Sequence, residues 1–157
     1  MPLYEGPIFR VEHREGRDVV VHAPVAAVVA VDRGDQVTLV RQHRVPVDSA
    51  MLELPAGFID GSESPLEAAK RELIEETGLR GGDWEPLATF FTSAGFTDEE
   101  LHLFLATGLE PGEASPEADE ELEVVRVPLV DVAGVIDECR DAKTLIGLLL
   151  LARRRGL

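Results

Sequence analysis

An α/β fold is predicted, with a mixed β-sheet and helices on both of its faces, and three observations carry it. Strand-like runs flank one amphipathic helix in the middle of the chain, the run from Val25 to Val31 is apolar almost throughout, and the C-terminal stretch reads as helix. In order, Ile8 to Glu12 and Asp18 to His22 enclose Arg14-Glu15-Gly16 and predict a short N-terminal β-hairpin. Val25 to Val31 suits a strand buried on both faces. Arg33-Gly34-Asp35 is a turn signal, and Val37 to Arg41 forms the next strand. Further strands are expected at Leu87 to Phe91, Leu101 to Ala106 and Leu122 to Val127. Helices then cover Pro128 to Cys139 and Ala142 to Arg155, the second ending in a basic tail. With 45% hydrophobic content, 157 residues can bury the core of one compact domain and leave no room for a second catalytic one.

The central helix announces both of its ends. Ser64-Pro65-Leu66-Glu67 supplies an N-cap serine, a proline at the first helical position and the N3 glutamate of a capping box. Gly78 suits the left-handed residue that ends a helix, giving about three to four turns. At about 100° per residue, Leu66, Ala69 and Leu73 share one side, and Glu72, Glu75 and Glu76 an adjoining one. One face packs; the other brings three carboxylates to where a hard divalent cation can bind them. Arg71 precedes Glu75 by four residues, the spacing of an ion pair that holds that carboxylate in position.

A formal charge of −15 opposes non-specific binding to nucleic-acid backbones and anionic membranes, so an anionic substrate has to be met by a local cation. The single cysteine, Cys139, excludes an internal disulfide and a cysteine-based zinc site, and suits a reducing compartment. No N-terminal apolar stretch resembles a signal peptide and no run approaches membrane-spanning length, so a soluble, cytoplasmic protein is expected.

Gly57, Glu63, Arg71-Glu72-Leu73, Glu75-Glu76 and Gly78-Leu79 stand at the spacing of the Nudix box, and the chain resembles the Nudix hydrolases. Outside the box, Val40-Arg41-Gln42-His43-Arg44 and Glu53-Leu54-Pro55-Ala56-Gly57 are similar to the stretch leading into it in the ADP-ribose pyrophosphatase group. Ser93-Ala94-Gly95-Phe96-Thr97-Asp98-Glu99 is similar to the substrate loop of that group, and the resemblance covers about Val25 to the C-terminus. It implies an α/β/α sandwich over residues 23–157. For residues 1–22 it implies a strand region that crosses to a partner subunit, with the binding site shared across a homodimer. Two short strands cannot bury both faces alone, which fits such pairing.

Carried over residue by residue, the resemblance assigns Glu72 and Glu76, the carbonyl of Ala56 and Glu75 to Mg²⁺, or Mn²⁺ in its place. Arg71 takes an orienting role among the catalytic residues. Arg44 and Glu53 correspond to positions lining the substrate pocket, Arg44 facing phosphate, where a guanidinium offers a planar pair of donors. Glu99 corresponds to a position that reaches the substrate across the dimer, Arg17 to one near the adenine, and Gly95 and Phe96 belong to the substrate loop.

In the related pyrophosphatases the general base comes from a mobile acidic loop, which corresponds here to the Pro-, Gly- and carboxylate-rich stretch from Glu110 to Glu121. Glu117, Asp119, Glu120 and Glu121 compete for the role, Glu120 first and Glu117 second, with Glu75 the candidate if none of them serves. The implied reaction is Mg²⁺-dependent hydrolysis of the diphosphate bond of ADP-ribose, or of a related nucleoside diphosphate sugar, giving AMP and ribose 5-phosphate in the first case. Ala94 stands where relatives that cleave ADP-ribose commonly carry a proline, which keeps GDP-mannose and dinucleoside compounds open. Two other readings are hydrolysis of oxidised nucleoside triphosphates and a Nudix module that senses a nucleotide without cleaving it. The stretches upstream of the box argue against the first, and the complete set of box carboxylates against the second.

Overall fold

A computed structural model describes residues 2–116 and 121–157. The expected N-terminal hairpin gains a strand in front of it: β1 (Tyr4–Glu5), β2 (Phe9–Arg14) and β3 (Arg17–His22) form a separate antiparallel sheet. Glu15 and Gly16 turn the hairpin with φ of 49° and 80°. The small sheet docks on its own chain, Val20 N donating to Phe96 O (2.8 Å), Asp98 N to Val20 O (3.2 Å) and His22 N to the Asp98 carboxylate (3.0 Å).

β4 (Val25–Asp32) is the middle of the large sheet, and Ala26 to Ala30 are wholly buried. Its side chains alternate between two cores. Ala27, Val29 and Val31 pack with Leu148 and Leu151, whereas Ala26, Val28 and Ala30 pack with Ala68, Ala69 and Leu73. A helix on each face removes the need for a polar side, which is why the run is apolar throughout. β5 (Gln36–Arg44) returns antiparallel through a turn in which the Asp32 carboxylate accepts from Gly34 N (2.7 Å) and Gln36 N (3.1 Å).

Two further strands were not expected: β6 (Ser49–Glu53) pairs with β5, and β7 (Ala56–Phe58) with β4. Each is short, and Pro46 and Pro55 break the alternation that would have marked them. After α1 (Pro65–Thr77) come β8 (Asp83–Phe91) and β9 (Glu100–Leu109). β9 runs parallel to β4 and antiparallel to β8, and with β10 (Glu123–Pro128) on β5 the order is β10-β5-β4-β9-β8, a mixed sheet.

The helix expected over Pro128 to Cys139 is shorter. Pro128 is the last residue of β10 with φ −56° and ψ 141°, Leu129–Asp131 make one 3₁₀ turn, and α2 is Val132–Glu138. At a strand end proline's missing N–H breaks no ladder bond, so Pro128 finishes the strand instead of opening the helix. α3 (Ala142–Arg155) lies on the face opposite α1. Gly147 lets it come close: a Cβ there would stand 2.7 Å from Leu54 Cδ1 and 2.9 Å from Val29 Cγ2.

Candidate active site

α1 starts and stops where its sequence signals lie. Ser64 Oγ accepts from Glu67 N (3.2 Å), the Glu67 carboxylate accepts from Ser64 N (2.8 Å), and Gly78 closes the helix at φ 76°. With Ala68, Ala69 and Leu73 packed on β4, the glutamate side of the helix is turned toward β7. The approach there is close: a Cβ on Gly57 would fall under 3.0 Å from all three terminal atoms of the Glu72 carboxyl group. Only glycine lets that carboxylate lie against the backbone. Glu76, 4% exposed, accepts from Ala56 N at 3.2 Å. Both glutamates are therefore placed against the same three-residue strand.

Arg71 organises the acids around this point. Its guanidinium donates to Glu63 (2.8 and 3.0 Å), Glu72 (2.6 Å), Glu75 (3.1 Å) and the Phe58 carbonyl (3.0 Å). The Glu63 carboxylate raises its pKa above the ordinary arginine value, against the opposing effect of burial, and Glu72 adds to the rise. Glu75, expected beside Glu72 and Glu76, turns to Arg71 and does not line the pocket next to them.

Glu72, Glu76, Ala56 and Gly57 line a pocket of about 390 Å³, within the range of small-molecule sites. Arg44 and Lys143 line it too, and between them lies Glu53, 2% exposed. Arg44 grips Glu53 in bidentate fashion, Nε to Oε1 at 2.7 Å and Nη2 to Oε2 at 2.8 Å, and Lys143 Nζ donates to Oε2 at 2.6 Å. Burial pushes the Glu53 carboxyl up, but the Arg44 hydrogen bonds and the Lys143 charge outweigh it and leave the group below the ordinary value. His22, Phe58 and Glu99 also belong to the lining. His22 Nδ1 lies 3.1 Å from Glu99 Oε2, and its ring centre is 5.3 Å from that of Phe58.

Glu99 lines the pocket of its own chain. The structure does not bring Arg17, Gly95 or Phe96 into this lining. Arg17 sits at the hairpin tip, paired with Arg14, five residues and roughly 16 Å of strand from His22. Gly95 and Phe96 belong to the segment on which β3 docks, and Phe96 is 57% exposed. Glu117, Asp119 and Glu120 lie outside the described residues. The start of their loop is fixed to the end of α1: Ser115 N donates to Glu75 O (2.9 Å), Arg80 and Glu110 exchange backbone hydrogen bonds (3.0 and 2.9 Å), and a Cβ on Gly78 would collide with Gly112 O.

Lys143, His22 and Phe58 were not singled out in the sequence. Lys143 carried a weak signal, since a cation in the first turn of a helix opposes the helix dipole and needs a reason. His22 and Phe58 carried none, because only the docking of the small sheet brings His22 to β7. As donors, the Glu72 and Glu76 carboxylates and the Ala56 peptide are hard oxygen groups that suit Mg²⁺ or Mn²⁺, and the glycine cradle at Gly57 keeps one carboxylate on the pocket wall. Among the described residues, no three carboxylate, imidazole or thiol groups are gathered into a metal cage by themselves. Of the three box glutamates, Glu72 and Glu76 line the pocket and Glu75 does not.

A mixed sheet between helices, with a capped helix presenting glutamates to a cation-bearing pocket, defines an α/β/α hydrolase of the kind its box suggested. The chain belongs to the Nudix family, its residues 21–146 matching the NUDIX domain. It is 37% identical over 145 residues to an ADP-ribose pyrophosphatase of Bacillus subtilis, covering 90% of this chain and 78% of that protein. It is 36% identical, with the same two coverages, to a methanol dehydrogenase activator of Bacillus methanolicus. A crystal structure of an ADP compounds hydrolase superposes with a TM-score of 0.81 over 99% of this chain and 92% of that one, at 24% identity. No helix among the described residues is long and apolar enough to cross a membrane.

Proposed function

We propose that this protein hydrolyses the diphosphate bond of ADP-ribose to AMP and ribose 5-phosphate, or that of a related nucleoside diphosphate sugar, using Mg²⁺ or Mn²⁺ held by Glu72, Glu76 and the Ala56 carbonyl. One observation carries the reading: two box carboxylates share a pocket with Arg44, so sites for a cation and for an anionic substrate lie side by side. Similarity to the Bacillus subtilis pyrophosphatase supports ADP-ribose as the first substrate to try.

When bound, the cation neutralises charge on the diphosphate and lowers the pKa of an attacking water. The chain's own residues position the rest. Arg44 turns the donors that Glu53 does not occupy toward phosphate. Arg71 holds Glu72 and Glu75 in one array with Glu63. Glu99 supplies an acceptor for a ribose hydroxyl, and Phe58 a ring face for the base. An acid of the loop ending at Glu121, Glu120 first and Glu117 second, accepts the water proton. Residues 1–22 pair with a second copy through the exposed Leu3, Tyr4 and Ile8, with the protein acting as a cytoplasmic homodimer. Light scattering at twice the 17.1 kDa chain mass tests the pairing.

The test of the activity is a panel of ADP-ribose, GDP-mannose, other nucleoside diphosphate sugars, dinucleoside polyphosphates and oxidised nucleoside triphosphates, each with Mg²⁺ and with Mn²⁺, the products separated by chromatography. AMP and ribose 5-phosphate from ADP-ribose are expected. Tight ADP-ribose binding with no cleavage under either metal would replace the proposal with a sensing module.

A further inference from the structure

Lys143 is the second residue of α3, where a positive charge meets the positive end of the helix dipole. Its position is explained by what it holds. Nζ donates to Glu53 Oε2 (2.6 Å) and to the two oxygens of Asp141 (3.0 and 3.1 Å), so its donors are committed to carboxylates. Asp141 is in turn the N-cap of α3, accepting from Thr144 N (3.0 Å) and Thr144 Oγ1 (2.6 Å). Thr144, wholly buried, accepts from Leu54 N at 2.8 Å, next to Glu53. A continuous polar chain therefore runs from the start of α3 to the end of β6.

The outer end of that chain is Arg44, whose side chain is 46% exposed where β5 leaves the sheet. Its Nε and Nη2 are bonded to Glu53, an arrangement that fixes the plane of the guanidinium and leaves Nη1 outside the pair in a residue that lines the pocket. With Arg44 alone, the buried Glu53 carboxylate would cancel the arginine's charge beside Glu72 and Glu76. Lys143 brings a second cation to Glu53, but Asp141 offsets it, so the four groups are formally neutral and what Lys143 supplies is a fixed position for Glu53.

We propose that Lys143 is a positioning residue for the reaction: it pins Glu53 against the capped start of α3, and so fixes the plane in which Arg44 presents its free N–H donors to the substrate diphosphate. This rests on the reading of Arg44 as a phosphate contact. Lys143 itself, 14% exposed and bonded to two carboxylates, acts through Arg44.

The experiment is a double-mutant cycle on the full chain, with the nucleoside diphosphate sugar that the wild type hydrolyses fastest, at saturating Mg²⁺. Lys143→Met keeps the stem and removes the charge. It should raise KM about tenfold with kcat within about threefold, while Lys143→Arg should restore most of the loss. Arg44→Ala should raise KM further, and adding Lys143→Met to it should change nothing more, because the interaction it supported is gone. Independent losses in the double variant, or a Lys143→Met enzyme with wild-type KM beside an impaired Arg44→Ala, would overturn the proposal. An Arg44→Ala enzyme with wild-type KM would instead overturn the reading of Arg44, and the proposal with it. Should Lys143→Met fail to fold, Asp141→Asn keeps the cap and weakens the hold on Lys143. A KM rise that Arg44→Ala abolishes is then expected, and an unchanged KM refutes the proposal.

Discussion

Gly57→Ala puts the smallest side chain where the structure has least room. The new methyl would sit under 3.0 Å from the carboxyl carbon and both oxygens of Glu72, and ordinary contact needs 3.4 Å or more. The carboxylate must therefore retreat by about 1.4 Å, and a misplacement of even about 1 Å in an assembled site costs on the order of 10² in rate. It cannot retreat freely. Arg71 holds Glu72 at 2.6 Å while itself bonded to Glu63 and the Phe58 carbonyl, so moving Glu72 strips a charge-assisted hydrogen bond worth about 1.5–3 kcal/mol. The fold should survive, because alanine is not strained at this backbone conformation. Overpacking of about 1–3 kcal/mol corresponds to a Tm lowered by roughly 2–12 °C. Steady-state hydrolysis across a Mg²⁺ titration, alongside thermal unfolding, reads both effects. A Gly57→Ala enzyme with kcat within threefold of wild type and unchanged half-saturation by Mg²⁺ would show that Glu72 need not lie against β7.

Glu76→Gln should lose several orders of magnitude in turnover yet fold, with Tm unchanged or raised because one like charge leaves an acidic wall; near wild-type turnover in Mg²⁺ contradicts the assignment. In the acidic loop, Glu120→Gln should lower kcat by roughly 10² to 10⁴ with KM and metal affinity largely kept. If Glu117→Gln is the slow variant instead, the mechanism stands with another base, and if neither these nor Asp119→Asn and Glu121→Gln slow the enzyme, Glu75 becomes the leading candidate. Glu53 has a folded-state pKa below its ordinary 4.5, so the stability it contributes is fully present above that pH and is lost as pH falls through the folded value. The gap in unfolding free energy between wild type and Glu53→Gln should thus be widest near neutrality, at about 2–3 kcal/mol since Arg44 is half exposed, and close below pH 4.5. A gap that holds constant from pH 7 to about pH 3.5 would show that the carboxylate's charge is not what the pair uses.

The elements readable from the chain were those whose signals are local. Ser64, Pro65, Glu67 and Gly78 delimit α1 through bonds spanning three or four residues, and the uninterrupted apolar run of β4 already implied cover on both faces. The Arg71–Glu75 pair and the side of α1 that carries Glu72 and Glu76 followed from helical periodicity alone. What periodicity could not do was choose among partners. Arg71 reaches Glu63, Glu72 and Glu75 at once, so Glu75 faces the arginine, and that choice depends on where the loop before α1 lies. β6 and β7 were hidden because each is recognised by the strand it pairs with, not by its own few residues.

Lys143 and Glu53 are ninety residues apart in sequence and 2.6 Å apart in space, joined only because α3 packs over Leu54 through Gly147. His22 meets Glu99 and Phe58 only once the small sheet has docked on residues 96–98, and that same docking leaves Arg17 at the distant hairpin tip. The sequence by itself determined the helix, its carboxylates and the layers around β4, since those depend on spacing within one element. The tertiary structure decided which cations and rings meet them, since a pocket wall is made by elements that are neighbours in space and not along the chain.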